Sequence, residues 1–307
     1  MKIPGLGRLS YHLFHRPRAE AEAREAARLL PEMRASISGL QPIVFSPAEI
    51  AEAPEIAMIT GDQFLYFTVF SAYSLLRVTG RPFRLRVFSD RSLSPRSTEE
   101  LHRIFPGLIV HRPPTEQEDY IESIFPYARF PGLRKARAEC ALLCKLLDTH
   151  GARTGWNLFL DSDTFFHRRP DALLECLAAG TRPCYMLDRW SNYGHSPEFL
   201  ERLCGWPIKP NINSGIVGLR SETIDWERME HWFQAMLAAD GRFVFFEQGM
   251  TAMLLSAVDS VILPPADYIL TPGREEVLRP RGVFHHYAGE SKNSFVRHQV
   301  PRHLFAS

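Results

Sequence analysis

Short apolar runs alternate with helical stretches along most of the chain. From about residue 41, strand-like apolar segments are followed by segments with helical periodicity and then by turn residues. This alternation is typical of βαβ units and of a largely parallel sheet. We therefore expect an α/β fold.

The predicted strands are short and apolar. The first covers 55–60, and the strand at 156–160 ends directly before Asp161. The others are predicted at 83–88, 108–110, 183–187, 214–219, 261–263 and 283–286. Ligands in open α/β sheets sit outside the carboxyl ends of the strands, so polar residues that follow a central strand are candidates for chemistry.

Two helices are predicted near these strands. The apolar and aromatic run at 64–78 has Asp62 as its predicted N-terminal cap and Gly80 as its expected end. A second helix is predicted over about 135–147, directly before the strand that precedes Asp161.

Residues 1–40 are interpreted as an N-terminal helical extension of a single domain at 41–307. Residues 18–34 are rich in Ala, Glu and Arg, which favour a helix. The first part of the extension mixes apolar and basic residues, namely Leu6, Arg8, Leu9, Leu13, Phe14, Arg16 and Arg18. Two interpretations are open: peripheral contact with a membrane surface, or packing against the main domain or a partner, which we favour.

Composition and charge exclude several classes of protein. The 307 residues are 45% hydrophobic and 23% charged, as in ordinary globular proteins. Lys and Arg number 36 against 35 Asp and Glu, so the net charge is +1, and no nucleic-acid partner is expected. No stretch approaches about 18 consecutive apolar residues, which argues against a membrane span.

Cysteine usage indicates a reducing compartment. The five cysteines form no CxxC pair, and their odd number does not fit a disulfide-stabilised secreted protein. The N-terminus lacks the charged start and apolar core of a secretory signal. We therefore expect a cytoplasmic protein.

Two acidic residues follow the strand at 156–160. Asp161 and Asp163 are separated by one residue, so both carboxylates can reach a hard divalent cation and leave other positions for water and phosphate oxygens. The alternative is that they only cap the next turn.

A second segment, from His286 to Lys292, has an imidazole, a glycine and an ammonium in one loop. The imidazole could complete a metal site, Gly289 could let the backbone approach a phosphate, and Lys292 could neutralise that phosphate. The alternative is a packed, hydrogen-bonded histidine.

Four segments, in this order, resemble the GT-A-fold glycosyltransferases, and most closely the retaining glycosyltransferase family 8, which includes glycogenin and bacterial lipopolysaccharide galactosyltransferases. The first, Thr60-Gly61-Asp62-Gln63-Phe64, is similar to the family's nucleotide-holding Thr-Asn-Asp-x-Tyr segment, and the second, Leu158 to Asp163, is similar to its strand and DxD motif. The third, Asn211 to Ile216, is similar to the family's Phe-Asn-Ser/Ala-Gly-Val strand entry and is followed by Glu247-Gln248, where the family has Asp-Gln. The fourth, His286 to Lys292, matches the family's His-Phe-x-Gly-x-x-Lys loop. The resemblance spans residues 55–292. Departures from the family pattern at Gly61, Phe64, Glu247 and Asn293-Ser294 leave the donor open.

The resemblance implies a Rossmann-like nucleotide-diphospho-sugar transferase fold with a mixed, mainly parallel central sheet and helices on both faces. It implies a metal-dependent enzyme that moves a sugar from a nucleotide-diphosphate donor, with a UDP-sugar favoured. Asp161, Asp163 and His286 would hold Mn²⁺ or Mg²⁺, which suit an oxygen-rich site with one imidazole.

The resemblance also implies roles for further residues. The implied donor contacts are Thr60, Asp62, Phe64, Arg137, Ser162, Gly289 and Lys292, with Lys135 as an alternative to Arg137. The implied catalytic residues are Gln248, Glu247, Asp188 and Asn213. Each of these four has an ordinary structural alternative, such as a surface ion pair, a turn or a helix start.

The stereochemistry is open, with retention favoured. In retaining members the departing phosphate itself deprotonates the acceptor, and an amide such as Gln248 lies beside the anomeric carbon. An inverting enzyme needs a carboxylate base, for which Asp188 or Glu247 could serve.

The acceptor is open among a glycan, a lipid-linked molecule, a protein and a small metabolite. Four aromatic side chains could stack on sugars or belong to the core: Trp190, Tyr193, His195 and Trp206. The alternative functions are a haloacid-dehalogenase-like phosphatase, a sugar nucleotidyltransferase and a non-catalytic nucleotide-sugar-binding protein. Phe165 departs from the phosphatase pattern, and residues 60–64 lack the glycine-rich loop of the nucleotidyltransferases.

Overall fold

The structure, a computed structural model, describes residues 16–239 and 243–305. The strands are β1 (Glu55–Thr60), β2 (Arg84–Ser89), β3 (Ile109–His111), β4 (Trp156–Leu160), β5 (Thr164–Phe166), β6 (Cys184–Leu187), β7 (Ile212–Arg220), β8 (Val261–Ile262), β9 (Tyr268–Leu270) and β10 (Phe284–His286). The α-helices are α1 (Arg16–Ser36), α2 (Pro47–Ala51), α3 (Leu65–Thr79), α4 (Pro95–Ile104), α5 (Pro114–Ile124), α6 (Pro131–Glu139), α7 (Cys144–His150), α8 (Asp171–Ala179), α9 (Pro197–Cys204), α10 (Trp226–Ala238), α11 (Phe246–Ser256), α12 (Arg274–Leu278) and α13 (Ser291–Arg297). Short 3₁₀ turns lie at Ile37–Gly39, Ala141–Leu143, Ser221–Thr223, Phe243–Phe245 and Val300–Phe305.

Within the described residues, seven strands form the central sheet in the order β3-β2-β1-β4-β7-β6-β8. Neighbouring strands are parallel except β7, which runs antiparallel to both β4 and β6. The predicted α/β fold with a mixed, mainly parallel central sheet is confirmed. β1 and β4 coincide with predicted strands, whereas β5 and β9 fall in segments for which the sequence predicts none.

Strand alternation buries both faces of the central sheet. On β7, Ile216 belongs to the hydrophobic cluster that includes side chains of α1, α3 and α8. Its neighbour Val217 belongs to the cluster that includes side chains of α6, α10 and α11. Because successive strand residues point to opposite faces, helices cover the sheet on both sides.

Helix α1 packs on the main domain. Its Ala26 and Met33 are buried in the same hydrophobic cluster as α3, and Arg297 of α13 lies 3.2 Å from Glu22 of α1. Of the residues that suggested membrane contact, Leu6, Arg8, Leu9, Leu13 and Phe14 lie outside the described part of the chain, as do the side chains of Arg16 and Arg18. No described helix combines the length and the apolar composition that a bilayer crossing needs.

The predicted capping role of Asp62 is wrong. Helix α3 starts at Leu65, and Phe64 before it makes no side-chain cap. The carboxylate of Asp62 instead accepts hydrogen bonds from the backbone N–H of Ser94 at 2.8 Å and the hydroxyl of Ser97 at 2.6 Å. A turn at 62–64 separates Asp62 from the helix, so its side chain reaches the start of α4 instead.

A small second sheet, in the order β5-β10-β9, adjoins the carboxyl end of β4. Glu276 of α12 contacts this sheet through His285 on β10. Its carboxylate accepts hydrogen bonds from the backbone N–H groups of Arg281 at 2.7 Å and Gly282 at 2.8 Å, and it lies 3.0 Å from Nε2 of His285 on β10. Glu276 therefore ties the loop before β10 to the strand itself.

We expect Glu276→Gln to destabilise the fold in a pH-dependent way. Burial alone would raise the pKa of Glu276, but the N–H groups of Gly282 and Arg281 outweigh it and lower the pKa from 4.5 to about 2. Because the folded pKa lies below the unfolded one, the stabilisation is present above about pH 4.5 and is lost as the pH falls towards about 2.

Urea unfolding should give a free energy of unfolding about 1–2 kcal/mol lower for Glu276→Gln near pH 7, with a smaller difference at about pH 3. The exposed neighbour Glu275, changed to Gln, is the matched control. An equal loss at both pH values would contradict the role given to the ionised carboxylate.

Candidate active site

The three predicted metal ligands meet at the carboxyl end of β4. Asp161 and Asp163 follow this strand, and β5 then pairs antiparallel with β10 so that Thr164 lies opposite His286. His286 Nε2 lies 3.2 Å from Asp163 Oδ1 and 3.5 Å from Asp161 Oδ2. One ligand atom from each residue lies within 4.8 Å of the others. Two carboxylates and one imidazole that converge in this way fit a divalent cation such as Mn²⁺ or Mg²⁺.

Asp163 is ionised in this setting. Its carboxylate lies 3.2 Å from His286 Nε2 and forms an ion pair with the ammonium of Lys292. Burial alone would raise the pKa of Asp163, but the His286 imidazole and Lys292 outweigh it and hold the pKa well below its usual range. The carboxylate is therefore available as a charged ligand at neutral pH.

Lys145 is a site residue that the sequence analysis did not identify. It lies on α7, is buried, and places Nζ 2.8 Å from Asp161 Oδ1 and 3.8 Å from Glu247 Oε2. Burial alone would lower the pKa of this ammonium, but the two carboxylates raise the pKa above its usual range. A single lysine inside the apolar run at 141–147, on the helix that leads into β4, was the available signal.

Asn213 on β7 orients the imidazole of His286. Its Oδ1 lies 3.2 Å from His286 Nδ1 and accepts a hydrogen bond from the Gly215 N–H at 2.9 Å. When Nδ1 donates this bond, the lone pair of Nε2 faces the two aspartates. Gly215 makes room for the ring, since a Cβ there would lie 2.4 Å from Cε1 and Nδ1 of His286.

Asp188 links two predicted catalytic amides. Its Oδ2 accepts hydrogen bonds from Asn213 Nδ2 at 3.1 Å and from Gln248 Nε2 at 3.2 Å, and its Oδ1 accepts one from the Arg189 N–H at 2.6 Å. The side chain of Arg189 turns away and donates to the carbonyl of Thr271 at 2.7 Å. Asp188 and Arg189 therefore do not form the surface ion pair that was the structural alternative.

Glu247 lies deeper in the same network. Its carboxylate accepts hydrogen bonds from the hydroxyls of Ser214 at 2.9 Å and Thr251 at 3.0 Å. Burial raises the pKa of Glu247, and the nearby Lys145 opposes this shift. The side chain is buried, so its partners are the protein groups around it.

These residues line a cleft of about 790 Å³. The predicted residues on its wall are Asp161, Asp163, Asp188, Asn213, Glu247, Gln248, His286, Gly289 and Lys292. Trp190 stands at the rim with 67% of its surface exposed. The other candidate stacking residues are engaged elsewhere: Tyr193 is buried, His195 stacks on Phe199, and Trp206 donates to the carbonyl of Met253.

The predicted nucleotide-holding segment lies outside this cleft. Thr60 is buried, and its hydroxyl accepts a hydrogen bond from Thr68 at 2.7 Å. Asp62 is bound to the start of α4, and Phe64 packs against the hydrophobic core. Ser162 is half-buried between the two aspartates.

The two basic residues predicted on α6 also have other partners. Arg137 is buried and donates two hydrogen bonds of 2.7 Å to Asp148 and one of 2.6 Å to Glu118. It lines a separate cavity, not the cleft. Lys135 lies 4.0 Å from Glu139 on the surface.

Comparisons with known proteins give structural likenesses. No family model and no curated protein sequence matches the chain. Among solved structures, the chain is similar to the bifunctional glycosyltransferase WbbM, with 14% identity and a TM-score of 0.49 over 81% of this chain and 47% of WbbM. It is similar to the galactosyltransferase LgtC in complex with donor and acceptor sugar analogues, with 10% identity and a TM-score of 0.48 over 80% of this chain and 95% of LgtC. It is also similar to mouse xyloside xylosyltransferase 1, with 11% identity and a TM-score of 0.46 over 78% of this chain and 99% of that enzyme. The chain spans about half the length of WbbM. The structural neighbours are thus glycosyltransferases.

We expect Gly215→Ala to weaken divalent-cation binding. The added Cβ would collide with the His286 ring and displace Nε2 from the aspartates. Loss of a group that orients a metal ligand typically costs about 10–100-fold in affinity, which a Mn²⁺ titration followed by electron paramagnetic resonance would measure. Gly273→Ala is the control, since a Cβ there meets nothing within 4 Å. Unchanged Mn²⁺ affinity in Gly215→Ala would contradict the arrangement.

Proposed function

We propose that the protein is a GT-A-type glycosyltransferase that moves a sugar from a nucleotide-diphosphate donor, with a UDP-sugar as the first donor to test, to an acceptor with a free hydroxyl. The observation that carries the proposal is the convergence of Asp161, Asp163 and His286 beside Lys292 in one open cleft. Each ligand comes from a segment that resembles the corresponding family motif.

The residues on the wall of the cleft suit a donor diphosphate. Asp161, Asp163 and His286 would hold Mn²⁺ or Mg²⁺, which would act as a Lewis acid towards the negative charge on the leaving diphosphate. Lys292 is one-third exposed in its side chain and can turn from Asp163 to a phosphate oxygen. Gly289 has a φ of +58° and open space on the side where other residues carry a Cβ, so the backbone can approach that phosphate closely.

The donor sugar would lie against Asp188, Asn213 and Gln248. Gln248 and Asn213 both donate to the same Asp188 oxygen, so the amides are held in place before a sugar binds. Of the predicted donor contacts, Gly289 and Lys292 support the proposal, because both line the cleft. Ser162 and Phe64 stay predictions, while the side chains of Thr60, Asp62 and Arg137 are engaged with other protein groups.

We infer retention of configuration from the state of the two candidate bases. Asp188 accepts hydrogen bonds on both of its oxygens. Glu247 is buried among Ser214, Thr251 and Lys145. Both carboxylates are already held by protein donors, which makes each a weaker candidate for the free base that an inverting enzyme requires. A leaving phosphate that takes the acceptor proton itself needs no such base.

The donor prediction is tested by thermal shift with a panel of nucleotide sugars, with and without Mn²⁺. We expect at least one donor to raise the Tm of the wild type only when Mn²⁺ is present, because the metal links the diphosphate to the protein. Asp163→Asn and His286→Ala should abolish this shift, and the exposed Asp259→Asn should keep it.

Two results would contradict the proposal. One is an equal response of Asp163→Asn and the wild type to every donor. The other is a donor that binds with Mn²⁺ but is never hydrolysed or transferred, which would indicate a non-catalytic binding protein.

Stereochemistry is measured on the sugar released by slow donor hydrolysis, so the acceptor need not be known. Early proton NMR spectra should show the anomeric configuration of the donor, since no free base activates a water on the opposite face of the sugar. An inverted sugar that disappears in Asp188→Asn would identify Asp188 as a base and overturn the inference of retention.

A further inference from the structure

A second cavity lies at the carboxyl ends of β2 and β3. Its volume is about 260 Å³, and it is bounded by α5, α6 and the first residue of α7. The apolar part of its wall consists of Val87 and Phe88 on β2 together with Pro114 and Ala138. This size is slightly below the roughly 300–1,000 Å³ of typical small-molecule sites, so the cavity suits a ligand smaller than a nucleotide sugar.

Four arginines line this cavity, and two of them are neutralised by carboxylates. Arg137 is bound by Asp148 and Glu118, and Arg134 lies 2.7 Å from Glu122. Gln117 also donates to Asp148, at 2.8 Å. Arg137, Asp148 and Gln117 therefore form a buried, hydrogen-bonded group, while the carboxylates of Glu118 and Glu122 are about half exposed.

The other two arginines, Arg91 and Arg112, are not neutralised. Within the described residues neither has a carboxylate oxygen within 4.0 Å of its guanidinium. In the part of the chain that the structure describes, the guanidinium of Arg91 donates to one acceptor, the carbonyl of Arg137 at 3.3 Å. Arg112 stacks over the ring of Tyr120, with Cζ 3.9 Å from the ring centroid. Stacking orients a guanidinium but leaves its in-plane N–H donors open.

We propose that this cavity binds a phosphate group, either as free phosphate or as the monoester of a small metabolite. Two unmatched guanidinium groups match the charge of a phosphate dianion, and their planar donors suit its oxygens. Both side chains are exposed at the mouth of the cavity, so their guanidinium groups are accessible to a ligand from solvent.

The ligand would be held without covalent chemistry. Cys144 places a thiol on the wall. Burial and the carboxylate of Asp148 raise the pKa of its thiol, so at neutral pH it is a neutral wall residue.

The phosphate site is separate from the cleft but adjoins it. Cys144 lines the cavity, while the next residue, Lys145, lines the cleft and pairs with Asp161. The first turn of α7 is therefore the partition between the two. A ligand in the cavity would contact the element that carries Lys145.

The site is tested by isothermal titration with inorganic phosphate in EDTA, where a metal-dependent diphosphate site does not compete. Wild type should bind phosphate, and Arg91→Gln/Arg112→Gln should bind it at least about tenfold more weakly. Arg81→Gln is the matched control, because Arg81 also lies over an aromatic ring, that of Phe83, but in the segment before β2, and it does not line the cavity. Lys292→Gln, in the cleft, should leave phosphate binding unchanged.

A second titration, with glycerol 3-phosphate, distinguishes the two sources of phosphate. Tighter binding of glycerol 3-phosphate than of inorganic phosphate would indicate a monoester, and the reverse would indicate the free ion. Sodium chloride at equal ionic strength controls for general screening.

Three outcomes would overturn the proposal: no phosphate binding by the wild type, equal binding by the double variant, or a loss confined to Lys292→Gln. If the double variant does not fold, Arg112→Lys keeps the charge but loses the planar donors. It should then bind phosphate more weakly than the wild type, and unchanged affinity would count against the site.

Discussion

The antiparallel pairing of β5 with β10 is the interaction on which the candidate site depends. It sets Thr164 opposite His286, and it thereby carries the imidazole to the two aspartates from a segment far along the chain. Two further contacts hold the arrangement in register: the Tyr287 N–H donates to the Asp163 carbonyl at 2.7 Å, and Glu276 supports His285 from the other side. A one-residue slip would turn His286 to the opposite face of its strand.

Charge compensation is the second constraint on the site. Burying a carboxylate is costly unless a cation or hydrogen-bond donors accompany it. Lys145 compensates Asp161 and Glu247, and Lys292 compensates Asp163. The two lysines differ in burial: Lys145 is enclosed, whereas Lys292 is partly exposed. Lys145 can therefore serve as a fixed charge within the wall, whereas the side chain of Lys292 is accessible from the cleft.

The sequence predicts those parts of the candidate site that a short motif along the chain reveals. A buried strand followed by Asp-x-Asp, and an apolar pair followed by a histidine and a glycine loop, are visible along the chain. It missed Lys145, because a single lysine in a helix is normally a solvated residue. It also misjudged Asp62, since helix capping was inferred from proximity, while the carboxylate found donors on another helix.

The sequence by itself determined the α/β alternation, the bounds of β1 and β4, and the residue types able to bind a cation, since these follow from periodicity and from side-chain chemistry. The tertiary structure decided which of those residues meet. Strand order, the reversed direction of β7 and the small second sheet depend on contacts between distant segments. These contacts also decided that Arg137 faces Asp148 instead of the cleft, because a buried guanidinium pairs with the carboxylate that the packing places next to it.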